Sequence, residues 1–422
     1  MLGLGAALLD DADKTLRIPA AAYRSRAGTW LSASSDTPAN RVKVCSVRES
    51  HLLAALEERL PAGSVQRGAK LVDADTSNPD GGVTLSFDDG SRVSGSAVVG
   101  ADGACSTVRR LIFGEDASIA PIDTGMVSHS GLLVPKDGET LHFGLPIGGD
   151  EALLRNAAPT TSEDADEIVD ALPPPRPFET LSQGRRFAMV PLAGGGAFWF
   201  ATRPLAEGES SAVGFDGKAI GQLRAAYEGW HAPIPKVLHS AACEAAEAMM
   251  ALRVSAASSS SRCGTHGANL RWERVYEVPR LESWHAADGR VVLLGDAAHG
   301  MQHNLAQGAA CAIEGAFLLG EALASVGDDE HSLEGAFRLY QEVHEPRVEQ
   351  CRALTRFTNL LGVPSTPVTE AVRNAMAFVP QPLNSYVFDT ALSLSLGESP
   401  WFVRERWPLP RRPASERAWW EM

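Results

Sequence analysis

Hydrophobic residues fall into two kinds of run along the chain. The first kind is short, continuous and rich in β-branched side chains, as at Ala97, Val98 and Val99 and over 290–294. Such runs predict strands covered on both faces, as in a parallel sheet. Each leads into a tight polar turn that carries an acid, Gly100-Ala101-Asp102-Gly103 in one case and Gly295-Asp296 in the other. The second kind is periodic. Behind Gln307 and Gly308, the positions Ile313, Ala316, Leu319, Gly320 and Leu323 recur at helical spacing and predict a helix starting near Gly308. Residues 48–60 predict an amphipathic helix with Leu52, Leu53 and Leu56 on its apolar side and Pro61 at its end. Residues 333–361 predict a long helix that packs through Tyr340, Val343 and Val348.

Between about 114 and 280 the pattern alternates and turn signals are frequent, as expected of an antiparallel sheet. Residues 188–192 and 197–201, separated by Gly194, Gly195 and Gly196, predict a hairpin, and residues 81–99 predict another around Asp88, Asp89 and Gly90. Residues 1–40 read as short, loop-rich pieces packed on a nucleotide-binding domain. Residues 156–177 and 255–267 read as surface insertions. The tail from Gly397 carries Trp401, Trp407, Trp419 and Trp420 among prolines and arginines, a surface that packs on the body or on a partner.

The two acidic turns are where chemistry is expected, because ligands of open α/β sheets bind at the carboxyl ends of the strands. Asp296 can accept hydrogen bonds from the hydroxyls of a polyol chain, or it can simply cap a turn. Asp102 can hold a ribose or ribityl hydroxyl, and Arg109 can meet a phosphate with its planar fork. The plainer alternative for that segment is a strand–turn–helix corner, with Ser106 as the cap and solvated arginines beyond it. The free N–H groups at the start of the helix at Gly308 suit an anionic or electron-rich ligand.

The segments GADGACSTVR and GDAAHGMQHNLAQGAACAIEGA together resemble the Asp-Gly and Gly-Asp motifs of the class A flavoprotein monooxygenases. That family includes aromatic-ring hydroxylases similar to salicylate hydroxylase and epoxidases similar to zeaxanthin epoxidase. The resemblance extends to Val47-Arg48 with Leu52, to residues 184–200, to Gly229-Trp230-His231 with Pro233, and to residues 340–347. It implies an α/β fold: a Rossmann-like FAD-binding domain, truncated at its N-terminal side, with an inserted and mainly antiparallel substrate domain and a helical C-terminal part. The implied boundaries are 1–114 and 281–361 for the two parts of the FAD domain, 115–280 for the substrate domain, and 362–422 for a C-terminal helix and tail. The implied cofactor is FAD, with NAD(P)H as co-substrate and O2 as oxidant. The implied cofactor-binding residues are Arg48, Asp102, Gly103, Arg109, Gly295, Asp296, Ala306, Gln307 and Gly308. Met189, Trp199 and Phe200 are the candidates for the substrate pocket, and His299 lies either near the flavin or in a structural turn.

The chain also departs from the family pattern. A strand–GxGxxG–helix unit of about 30 residues is expected ahead of the segment that begins here, and Gly3-Leu4-Gly5 does not supply it. The family's Gly-Gln-Gly is Ala306-Gln307-Gly308, which places a Cβ where a positive φ is costly. Gly315 stands in the family's Glu-Asp pair and weakens a helix by roughly 1 kcal/mol relative to alanine. These departures leave open a degenerate flavin-fold protein without catalysis, or a related FAD-dependent reductase.

Composition narrows the partners further. A net charge of −14 disfavours nucleic acid and anionic membrane as main partners. A small-molecule substrate remains. None of the six cysteines forms a C-x-x-C pair, which predicts reduced, buried thiols in the cytoplasm or in a reducing organelle lumen. His299 and His303 lack the accompanying carboxylate of a zinc motif, so no metal is expected. No apolar run reaches the ~18 residues that a membrane span needs.

Overall fold

The structure is a computed structural model. It describes residues 8, 11–18, 22–33, 44–77, 82–134 (except 115 and 117), 177–206, 209, 217–255, 270–303 (except 287 and 288), 306–326, 332–362 and 366–375. All of the proposed insertion at 156–177 except Pro177, most of the one at 255–267, and the tryptophan-bearing tail lie outside the described residues.

The two continuous apolar runs form a parallel pair. β8 (Val98–Gly100) lies beside β14 (Val291–Leu293), with Leu293 opposite Gly100. All three residues of β14 are fully buried, because α6 (Gly308–Ala324) and α7 (Leu333–Gly362) enclose it with Leu318, Phe337 and Tyr340. A Cβ on Gly100 would stand 2.8 Å from the Cβ of Val108, so glycine is what lets the next helix, α2 (Thr107–Phe113), lie against the strand. Gly315 has the same role between α6 and α7. A Cβ there would meet His344 Nε2 at 3.0 Å and Leu294 Cδ1 at 3.2 Å. Its lost helix propensity is offset by close packing of the two helices.

The second layer is a seven-stranded sheet in the order β13-β9-β12-β11-β10-β2-β3. Its strands are β13 (Leu270–Glu277), β9 (Ile122–Leu133), β12 (Ala197–Pro204), β11 (Arg185–Pro191), β10 (Phe178–Ser182), β2 (Ala22–Ser25) and β3 (Trp30–Ala33). Only the β10–β2 contact is parallel. The expected hairpin at 188–201 is the β11–β12 pair. Residues 22–33 correct the expectation for the N-terminal segment. They are not remnants on the nucleotide domain but strands that extend the substrate sheet, so the boundary at 114 does not separate the two layers.

Helices α3 (Gly217–Ala226) and α4 (Ile234–Ser255) cover one face of this sheet, where Leu223, Tyr227, Trp230, Ile234 and Leu238 pack on Phe178, Phe187, Met189 and Trp199. The Phe187 and Trp199 rings stack there with centroids 6.1 Å apart. A three-stranded meander of β5 (Leu71–Asp75), β6 (Val83–Phe87) and β7 (Arg92–Gly95) contains the other expected hairpin. In α1 (Glu49–Glu57) the buried residue is Ala55, while Leu53 is 51% exposed. Among the described residues no helix is long and apolar enough to cross a membrane.

Candidate active site

The parallel pairing of β8 and β14 brings the two acidic turns side by side, yet their carboxylates do different things. Asp102 turns back on its own helix. Its Oδ1 accepts from Ser106 Oγ at 2.5 Å, and its Oδ2 accepts from the backbone N–H groups of Thr107 at 2.7 Å and Val108 at 3.1 Å. These three donors make Asp102 the cap of α2, and its exposed carboxylate keeps an acceptor site for a further hydroxyl. Gly103, at φ +83°, shapes this turn.

Arg109 is likewise not free to meet a phosphate. It is 2% exposed, and its guanidinium donates to the carbonyls of Ile119 at 3.0 Å, Ala297 at 2.6 Å and Ala104. It ties the Asp-Gly corner to the Gly-Asp turn from inside.

Asp296 does face outward. Gly295 takes φ 61° and ψ −138°, a region open essentially to glycine alone, and this turns the chain from β14 into a short helix, α5 (Asp296–His299). The Asp296 side chain is accessible, and Oδ1 lies 3.8 Å from the Cβ position of Gly308 at the start of α6. Burial by the flanking protein raises its pKa, and no described side chain offsets that with a hydrogen bond. Among the described residues no side chain caps the N-terminus of α6 at Gln307. A carboxylate acceptor and open backbone donors therefore converge at one place.

Ala306 precedes this helix at φ +52°. The chain thus adopts the left-handed conformation with a Cβ present, at a cost of roughly 1–2 kcal/mol. Ala306→Gly is expected to raise stability by about 0.5–1 kcal/mol, since glycine's larger unfolded-state entropy cancels part of the relief. Urea unfolding would register this as a higher midpoint with an unchanged slope, and a lowered midpoint would refute it.

Opposite these turns lies the face of the large sheet that is uncovered among the described residues. Phe198 and Phe200 are on it, with ring centroids 6.3 Å apart, and the Arg186 guanidinium lies 5.9 Å from the Phe200 ring. Arg186 forms a buried ion pair with Glu179. His303, from the Gly-Asp loop, looks across at this cation. Its pKa is lowered first by burial and then by the charge of Arg186. Glu273 on β13 is held above its usual range, mainly by burial, with Asp296 and Glu49 adding repulsion. Arg48, at the N-terminus of α1, is half-buried and brings Nη2 within 3.5 Å of the Cβ position of Gly196, at the β11–β12 turn.

Met189 and Trp199, offered for the substrate pocket, are 1% and 0% exposed on the opposite face, under α3 and α4. Strand alternation puts Phe200, but not its neighbour Trp199, toward the crevice. Arg186, Glu179, Phe198, Glu273 and His303 were missed. The alternation in 185–204 could have flagged Arg186 and Phe198 as sharing a face, but a charged residue in a strand ordinarily reads as solvated.

His299 is 1% exposed and packs against Trp284 and His344 at ring distances of 5.2 and 5.5 Å, so it is an interior histidine. Burial lowers the His344 pKa to about 4, against a hydrogen bond from Nε2 to the Cys311 carbonyl that works the other way. An unfolded histidine titrates near 6.5. The unfolded chain therefore gains this proton first, and the contribution of neutral His344 is complete above ~6.5 and disappears between there and about 4. In that window the wild type should lose up to about 1.4 kcal/mol per pH unit through this group. His344→Gln should show a shallower fall of Tm with acid, and an identical slope would count against the assignment.

Comparison with known proteins supports the reading of these parts. The FAD binding domain family matches residues 254–353. The aurachin C monooxygenase/isomerase of Stigmatella aurantiaca is 28% identical over 281 residues, covering 66% of this chain and 54% of that protein. The 6-hydroxynicotinate 3-monooxygenase of Bordetella bronchiseptica is 27% identical over 325 residues, covering 76% and 67%. The chain thus spans about half to two thirds of the length of these relatives. Among solved structures, Klebsiella pneumoniae HpxO complexed with FAD and uric acid superposes with a TM-score of 0.66 at 20% identity, covering 93% of this chain and 84% of that one. A salicylate hydroxylase substrate complex gives 0.58 at 19% identity, covering 93% and 86%.

Proposed function

We propose, from the premise that this chain has the fold of the class A flavoprotein hydroxylases and carries an FAD-binding domain, that it is an FAD-dependent monooxygenase acting on a small aromatic substrate. One observation carries the reading. Asp296 and the uncapped start of α6 converge at the carboxyl end of β14, opposite a sheet face that presents Phe198, Phe200 and Arg186.

The donor set fits the ring and ribityl part of a flavin. Asp296 would accept from a ribityl hydroxyl, and the backbone N–H groups at Gly308 would meet the pyrimidine carbonyl side of the ring. Arg48 would approach from the far rim. The chemistry supplied there would be reduction by NAD(P)H and transfer of one oxygen atom of O2 to an electron-rich ring.

This chain's own residues supply the setting. The positive end of the α6 dipole favours negative charge beside Gly308. Phe198 and Phe200, their rings tilted at 40°, give an apolar wall against which an aromatic ring would pack. Arg186, held rigid by Glu179, offers a cation at the edge of that wall and suits a substrate bearing a phenolate, carboxylate or ring carbonyl. His303 stays neutral near pH 7 and can hold a proton at a ring nitrogen opposite Arg186.

The test is direct. The purified chain, mixed with FAD and desalted, should retain a yellow flavin band. It should then oxidise NAD(P)H faster when an aromatic hydroxylation substrate is added, with label from isotopic O2 in the product. A colourless protein that consumes no NAD(P)H would overturn the proposal. Double-bond reduction without O2 uptake would replace it with a reductase.

A further inference from the structure

Behind the first turn of α6 lies a pair of thiols that the crevice chemistry does not use. Cys311 and Cys351 are each 0% exposed, and the Cys311 S–H donates to Cys351 Sγ at 3.7 Å. They belong to different helices, α6 and α7, and lie 40 residues apart in sequence. The other described cysteines differ: Cys105 and Cys243 are exposed and Cys45 is half-buried, which corrects the expectation that all the thiols are buried.

The pair sits in the hydrophobic core, with polar groups adjoining it. Glu314 and Arg347 form a buried ion pair at 3.3 Å, and His344 holds the Cys311 carbonyl at 3.0 Å. Around it, Tyr340 Oη, His344 Nδ1 and both terminal nitrogens of Arg347 are buried with no protein partner among the described residues. The Cys351 thiol is held below its ordinary range by the Cys311 S–H, and the Arg347 charge works in the same direction. Burial and the neighbouring sulfur hold Cys311 high. One sulfur is therefore the better thiolate, and the other is placed as its partner.

We infer that Cys311 and Cys351 are a peroxide-reactive dithiol that closes to a disulfide joining α6 to α7. The oxidant is hydrogen peroxide, a small neutral molecule that donates and accepts hydrogen bonds as do the waters that buried polar groups ordinarily hold. The Cys351 thiolate attacks one peroxide oxygen. An S–O bond forms, the O–O bond breaks, and hydroxide leaves beside the Arg347 guanidinium, to be protonated to water. Cys311 then attacks the Cys351 sulfur, the S–S bond forms, the S–O bond breaks, and the Cys311 proton leaves with the second hydroxide as water. Two thiols are oxidised by two electrons and one peroxide is reduced to two waters. The bridge fixes the turn that begins at Gly308. The reaction requires only the two helices, so it holds whether or not the crevice binds flavin.

The test treats the full chain with hydrogen peroxide and counts thiols after denaturation. The expected count falls from six to four, with a Cys311–Cys351 linked peptide that dithiothreitol dissolves. In Cys311→Ala, a dimedone adduct is expected on Cys351; in Cys351→Ala, Cys311 is expected to remain a thiol. If either variant fails to fold, the wild-type peptide map decides alone. A map in which Cys105 or Cys243 is oxidised while Cys311 and Cys351 stay unlinked would overturn the inference, and so would a dimedone adduct on Cys311.

Discussion

Replacing Arg109 by methionine is expected to destabilise the protein by about 3 kcal/mol. The reason is the carbonyl set it serves. Its nitrogens satisfy the carbonyls of Ile119, Ala297 and Ala104, from three separate stretches of chain. Each carbonyl left without a donor in the interior costs about 1–3 kcal/mol. Removing a desolvated cation returns part of that, which keeps the total near the single-site maximum instead of at the sum of three losses. Arg109→Lys distinguishes this role from phosphate binding. One ammonium on a flexible stem cannot reach three diverging carbonyls, so lysine should recover little stability. If Arg109 gripped a phosphate, lysine would retain stability and the methionine variant would fail only in binding cofactor. Urea unfolding of both variants without flavin decides the matter, and a wild-type midpoint in the methionine variant would sink this account.

The same contact shows where sequence reasoning stopped. The two acidic turns were legible because each is local: strand, glycine and acid lie within a few residues, and parallel pairing of their strands follows from continuous apolar runs. The helix starting at Gly308 was legible from its period. Arg109 was not, because its deciding partner, Ala297, lies 188 positions away. Trp199 and Phe200 make the complementary point. Alternation establishes that they face opposite ways. Which way is inward depends on α3 and α4, which supply Tyr227, Trp230 and Ile234 only later in the chain. The Arg186–Glu179 pair stayed hidden for a third reason. A charged residue in a strand is buried only when its counter-ion arrives from a neighbouring strand, and here Glu179 does so from β10. Residues 22–33 joined the sheet by a parallel contact with β10, which no hairpin turn announces.

Gly295→Ala is expected to have the second large effect, and Asp296→Asn isolates its cause. At φ 61° and ψ −138° an alanine costs on the order of 1–3 kcal/mol. Its Cβ would also come within 3.2 Å of the Ala312 Cβ on the first turns of α6. Either the turn keeps its shape under strain, or it relaxes and carries the Asp296 carboxylate away from Gly308. Stability falls in the first case and flavin retention in the second, and a mixture lowers both. Asp296→Asn changes neither the backbone nor the shape. It removes a carboxylate that the flanking protein holds above its usual range and that no described side chain pairs with, so the flavin-free protein should be as stable as wild type or more so. Flavin affinity should nevertheless fall about 10- to 100-fold, the worth of a hydrogen bond to a charged acceptor. Opposite signs on stability and binding are what a residue kept for its ligand should show. Unfolding curves without FAD and flavin titration by fluorescence would reveal them. An asparagine variant that loses stability but holds flavin normally would mean that Asp296 is a turn residue after all.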